Sequence, residues 1–311
     1  ECGADAVKLQ KRHNKTLFTQ EMYNSPYDNR NSYAPTYGEH REFLEFNRDQ
    51  HIELQAYAKE IGITFFSTAF DMRSADFLAD LDMPAYKIAS FEMIDLPLIE
   101  QCAATGKPLV MSTGLANKKE IGEAIAAARG AGAEELIVLH CVSGYPTQAR
   151  DANLHTMPDL AESFGAVPGL SDHTHGIAVS IAAVALGACF IEKHFTLRRA
   201  DGGPDSAFSL EPEELKELVD GCHTAWEALG RVHYDPKGSE QGNETFRRSL
   251  YAVADVGVGD VLTPDNIRSI RPGLGLPPKH LPEVLGCRAS RAFKRGEPLA
   301  WDMIESDGTE S

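Results

Sequence analysis

The sequence predicts an α/β protein, a parallel barrel of the (β/α)8 kind, followed by a small β-rich domain. Two observations carry the barrel. Between residues 8 and 194 short apolar runs alternate with longer amphipathic segments, the pattern of β/α units around a parallel sheet. Polar residues also collect at the C-terminal ends of those runs, where such barrels carry their chemistry on βα loops. The second domain is read from a change of text: residues 248–304 are dense in Gly, Pro and Val, with short candidate strands between turns.

Taken in order, the strand candidates are AVKLQ (6–10), TFFS (64–67), AYKIA (85–89), PLVMS (108–112), LIVLHC (136–141), VPGLS (167–171) and CFIEKH (189–194). Helical stretches separate them at 41–60, 71–79, 96–104, 118–131 and 177–186, with 211–229 after the last strand. A doubly wound open sheet is the alternative, but no glycine-rich G-x-G-x-x-G or G-x-x-x-x-G-K-[ST] loop follows any strand. Residues 1–229 are thus expected to form the barrel domain, 230–246 a linker, and 247–311 the second domain, with strands in SLYAVADV (249–256), IRSIRP (267–272) and ASRAFK (289–294).

The formal net charge is −16, so a broad attractive field for nucleic acid or an anionic membrane is excluded, and an anionic substrate has to be gripped locally. No apolar run approaches the roughly 20 residues that a spanning helix needs. The six cysteines lie far apart without a C-x-x-C pair, which fits a reduced cytoplasmic compartment better than a zinc or redox site. The chain opens at Glu1 without a methionine, which is consistent with a segment removed from its front.

The strand ends supply the chemistry. Lys8 and Gln10, Ser67 and Thr68, Lys87 with Ser90 and Glu92, Ser112 and Thr113, His140 and Ser143, Ser171 with Asp172 and His173, and Glu192 with His194 all stand there. Strands covered on both faces should be almost wholly apolar, so lysines inside them are costly unless paired with an anion. A structural ion pair would meet that cost for one lysine. Two lysines among hydroxyls point instead to a phosphate or carboxylate pocket. His173 and His194 each end a strand, and adjacent strands would bring the imidazoles together as ligands of a divalent metal, leaving positions open for catalysis. Either one alone reads equally as a hydrogen-bonded structural histidine. Glu92 reads as an acid, base or water-positioning carboxylate, or as a solvated loop residue. Asp172 reads as a partner orienting an imidazole, or as the start of a turn. The segment Tyr37-Gly38-Glu39-His40 reads as a polar loop, either a lid or a cap for the following helix.

The motifs AVKLQK, TYGEH, AYKIASFE, VMSTG, HCVSGYP, GLSDHTHGIAVSIAAVALGA, IEKHFTL, GPDSAFSLEP and IRPG stand in this order along the chain. In that order they resemble the N-acetylneuraminate (sialic acid) synthase family with its pseudaminic, legionaminic and spore-coat-polysaccharide relatives. The text from about residue 248 is similar to the family's antifreeze-like (SAF) domain. The resemblance implies a TIM barrel that condenses phosphoenolpyruvate with an N-acyl hexosamine. It implies a metal, Mn2+ first and Mg2+ or Co2+ as alternatives, on His173 and His194. Lys8, Thr68, Lys87, Ser90, Ser112, Ser143 and Ser171 match the family's phosphoenolpyruvate pocket, and Gln10, Tyr145 and Asp205 its sugar site. Arg271 matches an arginine that one subunit's C-terminal domain inserts into the other's barrel, which implies a domain-swapped homodimer. Family members open on a strand bearing A-E-I-G-x-N-H-x-G that is not found here. The resemblance therefore implies a barrel without its first strand, with unpaired edges, low stability and little activity as it stands.

Two rival readings follow from the same residues. One is another phosphoenolpyruvate–aldose synthase of the octulosonate or heptulosonate type, which has no use for Arg271. The other is a non-catalytic sugar-binding protein, which gains little from Lys87, Glu92, His173 and His194 together.

Overall fold

Seven apolar runs pair side by side in chain order: β1 (Ala6–Lys11), β2 (Thr64–Ala69), β3 (Tyr86–Ile88), β4 (Leu109–Ser112), β5 (Leu136–Cys141), β6 (Val167–Asp172) and β7 (Phe190–Lys193). Every pairing is parallel. Sequential order throughout separates this sheet from a doubly wound one, in which the order reverses. The sheet curls as a TIM-like barrel does and is open, with β1 and β7 at its edges. This is a computed structural model, and it describes residues 1–29 and 31–305.

The connecting helices are α1 (Tyr37–Phe43), α2 (Arg48–Ile61), α3 (Met72–Ala79), α4 (Leu96–Ala103), α5 (Lys118–Gly130), α6 (Thr156–Phe164), α7 (Ala178–Ala185) and α8 (Pro212–Leu229). The single helix expected over 41–60 is in fact two. Glu45 is drawn to Lys11 Nζ at 2.7 Å and to the Arg12 N–H at 3.1 Å, which turns the chain. Asn47 then starts α2 with a capping box closed by Gln50. Tyr37, Gly38, Glu39 and His40 are correspondingly not a loop but the first turns of α1, capped by Thr36, with His40 buried against Tyr27 and Tyr33.

The largest core fills the space between the sheet's outer face and its helices. Tyr86, Ile88, Leu109, Met111 and Val138 from the strands meet Leu78, Leu98, Ile99, Ile121 and Ile125 from the helices. Because side chains alternate across a strand, the opposite face carries Lys8, Gln10, Thr68, Lys87, Ser112, Cys141, Ser171 and Glu192, in register from strand to strand.

The chain divides into two units, Glu1–Gly230 and Arg231–Ser311. The second has its own core of Leu250, Val256, Leu262, Ile267, Phe293 and Leu299 around the antiparallel pair β8 (Ser249–Ala252) and β9 (Ile267–Ile270). The strand expected at 289–294 does not form. Ser290 N–H goes to Met303 O and Phe293 N–H to Val256 O, so partners change within three residues and only isolated bridges result. Residues 306–311 of the expected second domain lie outside the described residues.

Gly169 in β6 is required by close approach. A Cβ there would stand 2.6 Å from the carbonyl oxygen of Phe190 in β7 and nearer still to Leu139. We expect Gly169→Ala to part β6 from β7 and destabilise the first unit by about 1–3 kcal/mol, the usual cost of overpacking, measured by urea unfolding. An unchanged midpoint would refute that constraint.

Candidate active site

The inner face of the sheet gathers most of the residues singled out from the sequence. Lys87 is only 2% exposed. Its ammonium donates to Ser112 Oγ at 2.6 Å and to Ile88 O at 3.1 Å. Lys8 Nζ donates to Thr68 Oγ1 at 3.1 Å. The anion that these cations meet is Glu192 on β7, with Oε1 3.8 Å from Lys8 Nζ and Oε2 3.9 Å from Lys87 Nζ. Ser171 Oγ lies 3.4 Å from the same carboxylate. Burial pushes the Glu192 carboxyl up, but Lys8 and Lys87 outweigh it and hold the group below its usual range; burial lowers Lys87. Two cations against one anion leave a net positive spot in a chain of charge −16. Glu192 was among the strand-end residues but not among the expected site residues. Its period-2 relation to His194, directly after β7, was the signal that placed it on this face.

Beside the lysines, Ser90 and Ser143 converge on Gly114. The Gly114 N–H donates to Ser90 Oγ at 3.1 Å. A Cβ at Gly114 would stand 2.7 Å from Ser90 Oγ and collide with Ser143 Oγ. Ser143 Oγ, Glu92 Oε2 and Glu192 Oε2 are buried without a hydrogen-bond partner among the described residues, as polar groups built to meet a ligand are. Burial raises Glu92 to about 7 against the pull of Arg12. Arg12, also missed from sequence, lies with its guanidinium 3.6 Å from the Phe70 ring centre and donates to Gln10 Oε1 at 2.6 Å; burial lowers it to about 10, helped by Arg41.

His173 and His194 follow β6 and β7 directly, and their ring centres are 5.2 Å apart. His173 Nδ1 donates to Val142 O at 3.0 Å, and His194 Nδ1 lies 3.6 Å from Asp205 Oδ2. His173 thus has its Nδ1 engaged by a backbone carbonyl, the kind of orienting partner that metal-binding imidazoles have, while the Asp205 carboxylate stands near His194 beyond hydrogen-bond distance. Burial pushes His194 down to about 4 against the upward pull of Asp205, so it is neutral, as a ligand must be. Among the described residues no group of three or more His, Cys, Asp or Glu is poised to hold a metal. The residues here that could hold a divalent cation are the two imidazoles, whose ring centres are 5.2 Å apart, with water or substrate completing its shell. Tyr145 lies 4.3 Å from His173 and 5.7 Å from Phe208, ring centre to ring centre. Burial, with Cys141 and Asp205, pushes its hydroxyl up to about 12, keeping it a donor.

Asp172 is not brought into this group. Alternation turns it to the outer face, where it meets Lys193 at 2.7 Å, Ser180 Oγ at 2.7 Å and the Thr174 N–H at 2.8 Å, and it makes no hydrogen bond to either imidazole. His140 also faces outward, to Ala152 O at 2.6 Å. Arg271 stands exposed in the second unit, directly after β9.

Comparison with known proteins adds an independent line. Residues 1–234 match the family model described as the NeuB family, and residues 247–305 match the SAF domain. The chain is 40% identical to a pseudaminic acid synthase of Helicobacter pylori, over 98% of this chain and 90% of that protein. It is 34% identical to the N-acetylneuraminate-9-phosphate synthase of Mus musculus, over 98% and 86%. Among solved structures, an N-acetylneuraminic acid (sialic acid) synthetase of Leptospira borgpetersenii, in complex with citrate, superposes with a TM-score of 0.67 at 30% identity, covering 78% of this chain and 80% of that one.

A methyl group at residue 114 would displace both serine hydroxyls. Gly114→Ala is expected to weaken a phosphate-bearing ligand by about tenfold, the worth of roughly one charge-assisted hydrogen bond. The check is the rise in melting temperature on adding phosphate or pyrophosphate; an undiminished rise would show that Ser90 and Ser143 do not serve the anion.

Proposed function

Because this chain belongs to the NeuB family, we propose that it condenses phosphoenolpyruvate with an N-acyl hexosamine such as N-acetylmannosamine, yielding a nine-carbon 2-keto sugar acid and phosphate. The observation that carries the reading is the meeting of a buried and a half-buried lysine, a ring of hydroxyls and two imidazoles on one face of the sheet. An octulosonate or heptulosonate synthase and a sugar-binding protein are the alternative readings.

In this reading residues 1–229 form the catalytic domain, 230–246 the linker and 247–311 the capping domain. Lys8 and Lys87, with Thr68, Ser90, Ser112, Ser143 and Ser171, grip the phosphate and carboxylate of phosphoenolpyruvate, and Gly114 leaves them room. Gln10, Tyr145 and Asp205 hold the open-chain sugar. A divalent cation on His173 and His194, Mn2+ before Mg2+ or Co2+, supplies Lewis-acid polarisation of the sugar aldehyde. Positioning by the lysines and hydroxyls brings C3 of the enol to the aldehyde carbon, and much of the rate comes from that alignment. The enol π pair forms the C3–C1 bond and leaves C2 cationic, and the aldehyde oxygen takes a proton from solvent to become a hydroxyl. Glu92 orients a water and accepts one of its protons as the oxygen adds to C2. The C2–O bond to phosphate then breaks as the C2 hydroxyl gives its proton to the departing phosphate, leaving the 2-keto group. A homodimer, with the partner subunit's Arg271 on the N-acyl group, completes the proposal.

Phosphate release from phosphoenolpyruvate and Mn2+ tests it, with N-acetylmannosamine, its 6-phosphate, 2,4-diacetamido hexoses and arabinose 5-phosphate compared. Release is expected with an amino sugar, and His173→Ala should lower it by more than about 100-fold. Release with arabinose 5-phosphate alone would transfer the chain to the rival synthases. None with any sugar would leave sugar binding as the function.

The pH profile gives a separate check. Glu92 is protonated below about 7 and a carboxylate above it, so a water-activating role makes the rate rise with pH through about 7. Glu92→Gln should be slower and lose that limb. Keeping it would exclude Glu92 as the group that takes the proton.

A further inference from the structure

We infer that the buried ion pair between Asp172 and Lys193 is a clamp that sets the separation of His173 and His194, and thereby the affinity of the site for a divalent cation. The inference rests on the proposed reading of those imidazoles as the cation's ligands. Both residues of the pair act through their neighbours, so they are positioning residues.

The strand register makes the connection. Asp172 and Lys193 are the last paired residues of β6 and β7, and the next residue on each strand is a histidine. Beyond that rung the two backbones separate. The His173 carbonyl accepts from the Thr147 N–H at 2.9 Å, while the His194 carbonyl accepts from the Leu210 N–H at 2.8 Å. Each histidine is drawn toward a different neighbour. The side-chain bond that crosses between the strands at this point is Lys193 Nζ to Asp172 Oδ2, 2.7 Å long, with the two side chains 3% and 1% exposed.

Lys193 does more than pair. Its ammonium also donates to Thr174 O at 2.6 Å, so the residue before His194 holds the residues on both sides of His173. Asp172 in turn accepts from the Thr174 N–H at 2.8 Å and from Ser180 Oγ at 2.7 Å. The result is a three-residue arc, 172 to 174, fastened at both ends with His173 at its centre. A buried ion pair is a poor source of net stability, because desolvation of two charges cancels much of the attraction. What it supplies is a short, directional tie that fixes register, which packed apolar groups do not.

The test measures Mn2+ affinity, from the electron paramagnetic resonance of free Mn2+, and the melting temperature of the full chain. Asp172→Asn/Lys193→Met removes both charges together and keeps an acceptor for the Thr174 N–H. It should melt near the parent, since no charge is stranded, yet bind Mn2+ about 10–100-fold more weakly. Lys193→Met alone should lose both stability and affinity, because the carboxylate is left buried without its partner. Parent-like Mn2+ binding in the double variant would overturn the clamp and reduce the pair to a stabilising contact. Should that variant not fold, Ser180→Ala loosens only the carboxylate's hydroxyl partner; a smaller fall in affinity at an unchanged melting temperature supports the clamp, and unchanged affinity overturns it. His173→Ala separates this idea from the one beneath it. If the parent and His173→Ala bind Mn2+ alike, the imidazole site is refuted and the clamp with it; if only His173→Ala loses binding, the clamp alone fails.

Discussion

Two ammonium groups inside a parallel sheet, Lys87 buried and Lys8 half-buried, are the constraint on which the rest of the first unit turns. Lys8 and Lys87 stand where packing would favour valine or isoleucine, and Glu192 between them makes their burial tolerable. Its contacts are 3.8 and 3.9 Å long, longer than a good charged hydrogen bond. The lysines are therefore compensated without being used up, and they keep hydrogens for a second anion. Ser112 and Thr68 take one hydrogen bond from each lysine and fix where the remaining ones point.

Period-2 alternation divides the labour around this cluster. On β6 and β7 the inward residues, Ser171 and Glu192, belong to the polar site, while the outward ones, Asp172 and Lys193, form a closed ion pair against α7. The same sequence segment thus holds both the working groups and the bond that steadies them. Close approach within the site also needs glycine, at Gly169 for the neighbouring strand and at Gly114 for two serine hydroxyls. The first keeps β6 against β7; the second keeps two hydroxyls pointing into the site.

Much of this was legible because parallel strands buried on both faces announce themselves. All seven were located to within two residues, and their C-terminal ends gave most of the site. Three readings failed for physical reasons. Asp172 was linked to His173 by adjacency in the chain, but adjacent residues of a strand face opposite ways. Residues 37–40 were read as loop because the text is polar, yet Thr36 caps a helix there and His40 is buried under aromatic rings. Residues 289–294 have strand composition, but a strand needs a partner that runs alongside it, and theirs changes within three residues.

By itself the sequence determined what depends on local order: the alternation of strand and helix, the set of polar residues at the strand ends, and the two histidines one step beyond β6 and β7. These follow from periodicity and spacing, which are properties of the chain. The tertiary structure decided what depends on which strands lie side by side. It made Glu192 the shared partner of two lysines from β1 and β3, turned Asp172 away to Lys193, and brought Ser90 and Ser143 together over Gly114. The partners in each case are 21 to 184 residues apart in the chain, and only the register of a curled sheet closes such distances to a few ångströms.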